Sequence, residues 1–312
     1  MVGIIGEMKL YKGDCLDFMK ELEDGSIDLI LCDLPFGLMK NIGEDDGRFQ
    51  NGMLGKFDWD DSVDLEKFFF LSEKLLRESG RLILFGIQPF TTTLVNHATL
   101  SLPFAYSMIW EKDHFGAAFQ AKRAPLNFYE DILVFTKRYD STFSNPLRQY
   151  FEWLLKHIGK SKARLIMEFG QKADHTFRTR STQFKLCTEE TYNEIVEKYQ
   201  IQDNEKFMPY DLLKKINDQY AQTFNLSDED TFKSNILKYP RDSEKHHPTQ
   251  KPVDLLVNLI ETFTNEDDVV ADFTMGSGST GVAARKTNRI FLGSELDEDF
   301  YDIAYKRIQG QL

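Results

Sequence analysis

The run SIDLIL at residues 26–31 is apolar at most positions, the pattern of a strand covered on both faces, and it passes directly into the loop CDLPF. Upstream, LYKGD reads as a short strand and CLDFMKELED as a helix. Downstream, SVDLEKFFFLSEKLLRE carries apolar residues at helical spacing and is predicted to end before Gly80. GRLILFG then reads as a strand, residues 89–98 as a helix, and FAYSMIW and YEDILVFTK as strands. Such repeated strand–helix units predict an α/β fold with a largely parallel sheet covered by helices. Between them, residues 38–62 are rich in Gly, Asp and Asn and read as a surface loop.

The rhythm breaks at residues 140–240, where aromatic and charged residues crowd together and helices are predicted near 147–158, 189–200 and 209–221. This is a second domain or a large insertion between a first core segment, 1–139, and a last one, 241–312. KYPRDSEKHHPTQKP marks the return to the core. VDLLVNLIETFT is an amphipathic helix, DDVVADFTMGSGST a strand entering a glycine-rich turn, GVAARKT the next helix and RIFLGSE the next strand. A final helix runs through about residue 308.

Composition narrows the class. With 41% hydrophobic and 28% charged residues the chain is globular, and no apolar run approaches the roughly 20 residues that cross a bilayer. MVGIIGEMKLYKGD lacks the basic and apolar regions of a secretory signal, so a cytoplasmic protein without a membrane partner is expected. Cys15, Cys32 and Cys187 are too few and too scattered for a disulfide framework or a zinc cluster. His246 and His247 have no cysteine or acidic ligand set beside them, so no metal is expected. The net charge of -12 argues against a polyanionic partner, but the average conceals an asymmetry. Residues 110–186 carry 14 Lys/Arg against 8 Asp/Glu, whereas residues 1–109 carry 10 against 18. A basic block inside an acidic chain is either a solvated face or a local anion-binding surface.

Two stretches carry candidate chemistry. VVADFTMGSGSTGVAA sets Gly276, Gly278 and Gly281 between a strand and a helix, where the backbone can approach a ligand closely and the helix start offers unpaired N–H groups. It is no Walker loop, since GK[ST] is absent. Glu295, closing the next strand, could accept the hydroxyls of a ribose. Together they suggest a nucleoside-containing cofactor without separating NAD from other adenosyl compounds. The second stretch, Asp33-Leu34-Pro35-Phe36-Gly37, emerges at a strand end with a carboxylate, a restricted backbone and a ring. That set could grip a planar amino-bearing group such as a flipped base. An ordinary turn, with Phe36 plugging the core and Asp33 capping it, is the plainer alternative.

The ordered combination of DLPFG at 33–37, HPTQKP at 247–252, DFTMGSGST at 272–280 and GSELDEDFYDIAYKRI resembles the circularly permuted, beta-class DNA methyltransferases that modify amino groups. The resemblance covers about 1–137 and 240–309 and implies a Rossmann-like fold with S-adenosyl-L-methionine as cofactor. It implies that Asp33 accepts a hydrogen bond from the exocyclic amine, that a backbone carbonyl at Leu34 or Pro35 takes the other amino hydrogen, and that Phe36 stacks on the base. On the cofactor side it implies Asp272, Phe273, Gly276 and Gly278 in the loop, Glu295 at the ribose and Asp14 near the adenine. Lys251 is implied to contact the cofactor or nearby backbone. Leu34 and Phe36 depart from the usual Pro and Tyr, and Phe273-Thr274 stands where Pro-Phe is usual. Cys32 is expected to face away from Asp33 by strand alternation and to serve packing.

On this reading the chain methylates adenine N6 in specific double-stranded DNA sequences. Adenine is preferred to cytosine N4 because the resemblance associates an aspartate at this position with adenine. RNA or protein methylation, and a catalytically inert DNA-binding protein, are the rival classes. Residues 140–240 become the target-recognition region, and in the basic block 110–186 Arg123, Lys160, Lys162, Arg164, Lys172, Arg178 and Arg180 become phosphate or base contacts. HTFRTRSTQFK reads as an exposed binding strand or loop, and the 38–57 loop with Lys40 and Arg48 as a cover for the flipped nucleotide. The resemblance also admits a homodimer and a functional pairing with a restriction endonuclease.

Overall fold

The computed structural model describes residues 2–5, 8–35, 63–116, 121–122, 124–137, 145–181, 183–220, 223–226 and 231–312. The strands are β1 Val2–Ile5, β2 Met8–Lys12, β3 Ile27–Cys32, β4 Leu76–Gly86, β5 Phe104–Gly116, β6 Asn127–Thr136, β7 Ile236–Lys238, β8 Val269–Asp272 and β9 Ile290–Glu295. The α-helices are α1 Cys15–Lys20, α2 Leu65–Leu75, α3 Phe90–Asn96, α4 Pro146–Ile158, α5 Lys162–Phe169, α6 Glu189–Tyr199, α7 Tyr210–Tyr220, α8 Val253–Phe263, α9 Ser279–Lys286 and α10 Glu298–Gln309.

One sheet joins the strands in the order β1-β2-β9-β8-β3-β4-β6-β5-β7. Strands β2, β9, β8, β3 and β4 are mutually parallel, while β6 runs against both β4 and β5, and β1 runs against β2. The sheet is therefore mostly parallel but mixed. The β5–β6 ladder of FAYSMIW and YEDILVFTK is an antiparallel hairpin that the sequence pattern alone did not orient.

Strand alternation sorts the core into two layers. Leu29, Leu31, Ile83, Phe85, Ile132 and Val134 pack with residues of α8, α9 and α10. Ile30, Cys32, Leu82, Leu84, Leu133 and Phe135 pack with residues of α1, α2 and α3. Burial on both faces is why β3 reads as an apolar run rather than an alternation.

The contacts divide the chain into two compact units, Met1–Lys137 with Thr223–Leu312, and Arg138–Gln222. The boundary expected at 240 moves to 222, because β7 pairs with β5 through Ile109↔Ile236 and its neighbours. The second unit has its own core, in which Leu147, Tyr150, Phe151 and Leu154 of α4 meet Tyr192 and Ile195 of α6. Tyr150 and Tyr192 share a buried hydroxyl–hydroxyl hydrogen bond, and the Tyr192 hydroxyl also donates to the Met208 carbonyl at 2.7 Å. Among the described residues, no helix is long and apolar enough to cross a membrane.

Candidate active site

The ends of β2, β3, β8 and β9 lie at one edge of the sheet because these strands are parallel and adjacent. Asp14, Asp33, Asp272 and Glu295 stand there, the edge where open α/β sheets present their sites.

The turn after β8 is built from within. Asp272 accepts from the Thr274 N–H at 3.1 Å and from the Thr280 hydroxyl at 2.6 Å, tying the strand end to the first turn of α9. Burial is the main influence on its carboxyl and pushes it up to about 7. Gly276 and Gly278 take positive φ, +51° and +81°, which side-chain-bearing residues rarely adopt. The Gly276 N–H donates to Glu295 Oε2 at 2.8 Å, and the Asp297 N–H to Oε1 at 2.9 Å, fixing the Glu295 carboxylate across the turn. Burial, ahead of these bonds, raises its pKa. The two glycines differ in what they face. A Cβ at Gly278 would lie 2.9 Å from Ala304 Cβ in α10, whereas one at Gly276 would meet the His247 ring at an ordinary 3.5 Å.

Asp33 follows β3 and is tied to the turn by the Thr274 hydroxyl, which donates to the Asp33 carbonyl at 3.0 Å. Its Oδ2 is ion-paired with the Lys251 ammonium, and its buried Oδ1 has no hydrogen-bond partner among the described residues. Lys251 also lies 3.2 Å from Glu130 Oε2, and Glu130 Oε1 accepts from Lys112 at 3.0 Å. Two carboxylates and two ammonium groups thus alternate in a row from β3 to β5. Burial raises the Asp33 pKa, and Lys251 offsets only part of that rise. Burial alone would lower Lys251, but Asp33 and Glu130 outweigh it and hold the ammonium above its usual value. Glu130 is likewise pushed up by burial and pulled further down by Lys251 and Lys112, so it stays ionised.

The other expected residues among those described each have a defined environment. Lys251 makes its ion pairs with Asp33 and Glu130; its contact with backbone is a 3.4 Å bond to the Thr249 carbonyl. Phe273 is buried between Phe18 and Phe68, edge-on to both, and Leu34 is buried in the same core, so both side chains pack inward. Asp14 is exposed and caps α1, its Oδ1 accepting from Leu16 N–H at 2.8 Å and Asp17 N–H at 3.3 Å. Pro35 is half-buried. Cys32 is buried, and its Sγ accepts from the Phe273 N–H at 3.2 Å; burial pushes its thiol well above the usual range. Phe36, Lys40, Arg48 and Arg123 lie outside the described residues.

Glu130 and Lys112 were not among the expected site residues. Alternation along YEDILVFTK and FAYSMIWEK could have placed them on one face, but only the antiparallel register of β5 and β6 brings them together.

Most of the expected DNA contacts in the second unit are paired internally. Lys162 reaches Asp174 at 2.9 Å, Arg178 Nε reaches Asp174 at 3.0 Å, Arg164 reaches Glu168 at 2.9 Å and Lys172 reaches Glu194 at 2.8 Å. Arg180 meets Glu152 at 3.1 Å yet keeps 82% of its side chain exposed. Lys160 is exposed and has no ion pair among the described residues. HTFRTRSTQFK is not a strand: it holds a 3₁₀ turn at His175–Phe177 with Thr176 and Phe177 buried. Buried Arg148 binds the carbonyls of Thr179 and Ser181 at 2.6 and 2.9 Å and fixes the loop that follows.

Comparison with known proteins agrees with this architecture. The family model described as DNA methylase, for the N6/N4 methyltransferases, matches residues 27–306. The chain is 24% identical over 314 residues to the type II methyltransferase M2.MboI of Moraxella bovis, covering 96% of this chain and 86% of that one. It is 34% identical over 102 residues to the type II methyltransferase M2.DpnII of Streptococcus pneumoniae, a match covering 33% of this chain and 36% of that one. The crystal structure of the M1.HpyAVI–SAM complex shares the fold, with a TM-score of 0.53 and 17% identity over 96% of this chain and 98% of that one. A match of this extent places the chain in the DNA methylase family, as an S-adenosylmethionine-dependent DNA methyltransferase acting on an exocyclic amine, adenine N6 or cytosine N4.

Proposed function

We propose that this methyltransferase acts on the N6 amine of adenine in specific double-stranded sequences, flipping the base and transferring the methyl group directly. The observation that carries the reading is the Asp33 carboxylate: Oδ2 is held by Lys251, while the buried Oδ1 has no hydrogen-bond partner among the described residues. A buried acceptor left unmade is costly, and an amino hydrogen of a flipped base would satisfy it. The backbone carbonyl of Leu34 or Pro35 takes the second amino hydrogen, and Phe36 supplies the stacking face. Held this way, the amine lone pair is drawn out of conjugation with the ring and aimed for an in-line displacement, after which the methylated nitrogen releases one proton to water.

The residues present fit the cofactor. Bound S-adenosylmethionine supplies a methyl group on a sulfonium, whose carbon–sulfur electron pair leaves with sulfur. Glu295 accepts the ribose hydroxyls, and its two oxygens already aligned by Gly276 and Asp297 retain lone pairs for them. The Gly276 turn would hold the methionine portion, and Asp14 the adenine end. The inert, buried Cys32 supports direct transfer to nitrogen rather than attack by a thiolate on a ring carbon.

Cytosine N4 is the second reading, since it too is an exocyclic amine; adenine is preferred for the aspartate at position 33. Residues 138–222 are the target-recognition unit in this account, with Lys160 and Arg180 the most available phosphate contacts. The setting is cytoplasmic. A restriction endonuclease of matching specificity is the functional counterpart, with a second copy of the chain as the candidate assembly partner.

Incubation with S-adenosylmethionine and unmethylated mixed-sequence DNA, followed by nucleoside mass spectrometry, tests the reading. N6-methyladenine is expected with the intact chain and at least 100-fold less, roughly, with Asp33→Ala. N4-methylcytosine would replace adenine by cytosine as the target, and an active Asp33→Ala chain would remove Asp33 from the chemistry.

A further inference from the structure

The row Asp33–Lys251–Glu130–Lys112 contains a carboxylate that the transfer itself does not call for. Glu130 is on β6 and Lys112 on β5, so neither belongs to the loops that carry Asp33 or the glycine turn. Side-chain exposure along the row is 21% for Asp33 but 7% for Lys251, 16% for Glu130 and 7% for Lys112, so Asp33 is its most open member. Lys251 is confined on its other sides by the Thr249 carbonyl at 3.4 Å and the Phe85 ring, whose centroid is 5.0 Å from Nζ. Lys112 is placed over the Trp110 ring at 5.7 Å.

We propose that Glu130, braced by Lys112, is a positioning residue that holds the Lys251 ammonium between two carboxylates and so leaves Oδ1 of Asp33 for the substrate amine. The inference rests on the reading of Asp33 as the amine acceptor. An ammonium with one carboxylate to itself can lie across both oxygens. Sharing between Asp33 and Glu130 keeps Lys251 on Oδ2. Lys112 is needed in turn, because an unbraced Glu130 would draw Lys251 away and leave Asp33 buried without its counter-ion.

Among the described residues, the charged groups facing Asp33 are Lys251 from the loop before α8, Glu130 from β6, Lys112 from β5 and Asp272 at the end of β8. Removing one member of the row therefore has a direction. Glu130→Gln removes a negative neighbour and commits Lys251 to Asp33, which moves protonation of Asp33 to lower pH. Lys112→Met releases Glu130 to compete for Lys251, which moves it to higher pH.

The test is the pH dependence of single-turnover methyl transfer, with S-adenosylmethionine and unmethylated mixed-sequence DNA, for the full chain, Glu130→Gln, Lys112→Met, the double variant and Asp33→Asn. The acid limb is expected to shift by about one pH unit, downward in Glu130→Gln and upward in Lys112→Met. The double variant is expected to follow Glu130→Gln, with its limb below the parent's, because Lys112 acts through Glu130 and Lys251 remains committed to Asp33. A merely structural role would slow both single variants without moving their limbs in opposite directions. If Glu130→Gln does not fold, the upward shift in Lys112→Met and its reversal in the double variant carry the test, and failure to reverse overturns the proposal. Limbs that stay put or move together, with Asp33→Asn inactive, overturn the role of Glu130 and leave Asp33 in place. An active Asp33→Asn chain overturns both.

Discussion

At the scale of single residues, the turn after β8 separates two reasons for glycine. Both Gly276 and Gly278 need positive φ, but only Gly278 also has a neighbour where its Cβ would be, Ala304 of α10. Gly278→Ala is therefore expected to lose more stability than Gly276→Ala, by about 1 kcal/mol or more, in urea unfolding at neutral pH. Equal losses would mean that backbone strain alone accounts for both. The Gly276 change belongs instead to ligand approach, and cofactor affinity measured by calorimetry is where its effect should appear. His247, packed against this turn, is kept neutral by burial and by the nearby Lys251 cation, which take its pKa down to about 4. It thus adds no positive charge beside the glycine turn at neutral pH.

At the scale of elements, the β8 turn carries a buried acid whose titration has a definite sign. Asp272 has its pKa raised from 3.8 to about 7, so the folded chain favours its protonated form. The stability this group contributes is complete below pH about 3.8 and is lost as pH rises through about 7. Asp272→Asn should flatten that decline in urea midpoints taken across the window; an unchanged slope would assign the decline to other groups. The strand, turn and helix around Asp272 were legible because apolar runs, glycines and an amphipathic helix agree there. α2 was legible only to Leu75. Its helical spacing continues beyond that point, yet Leu76 pairs with Ile27 and Arg77 with Asp28, so contacts remote in sequence turn the chain into β4. HTFRTRSTQFK, which reads as a strand or a loop, takes the loop form where it is described: its alternation resembles a strand, but Thr176 and Phe177 are buried in a 3₁₀ turn. Asp33 could be found by its position after an apolar strand, whereas Glu130 and Lys112 depend on the register of two strands whose pairing the local pattern does not encode.

At the scale of the whole molecule, a chain of net charge -12 must confine its attraction for DNA to local features. Lys160→Ala and Arg180→Ala are each expected to lower the slope of log affinity against log salt by about 0.9 if the residue contacts one phosphate. Lys162→Ala and Arg178→Ala should instead lower stability, because the largely buried Asp174 loses a partner. An unchanged salt slope for Lys160→Ala and Arg180→Ala would move the DNA surface elsewhere. The strand order has a further consequence for synthesis. β8 and β9, made near residue 270 and after, are inserted between β2 and β3, which are made before residue 33. A nascent chain therefore carries an open apolar edge on β3 until β8 has been made, and the β1–β2 hairpin cannot join the sheet before β9 is present. Asp33 meets Thr274 only when β8 closes the gap. The site can therefore assemble only once β8 has been made, and a fragment supplying β8 and β9 in trans should restore activity to a chain halted before β8.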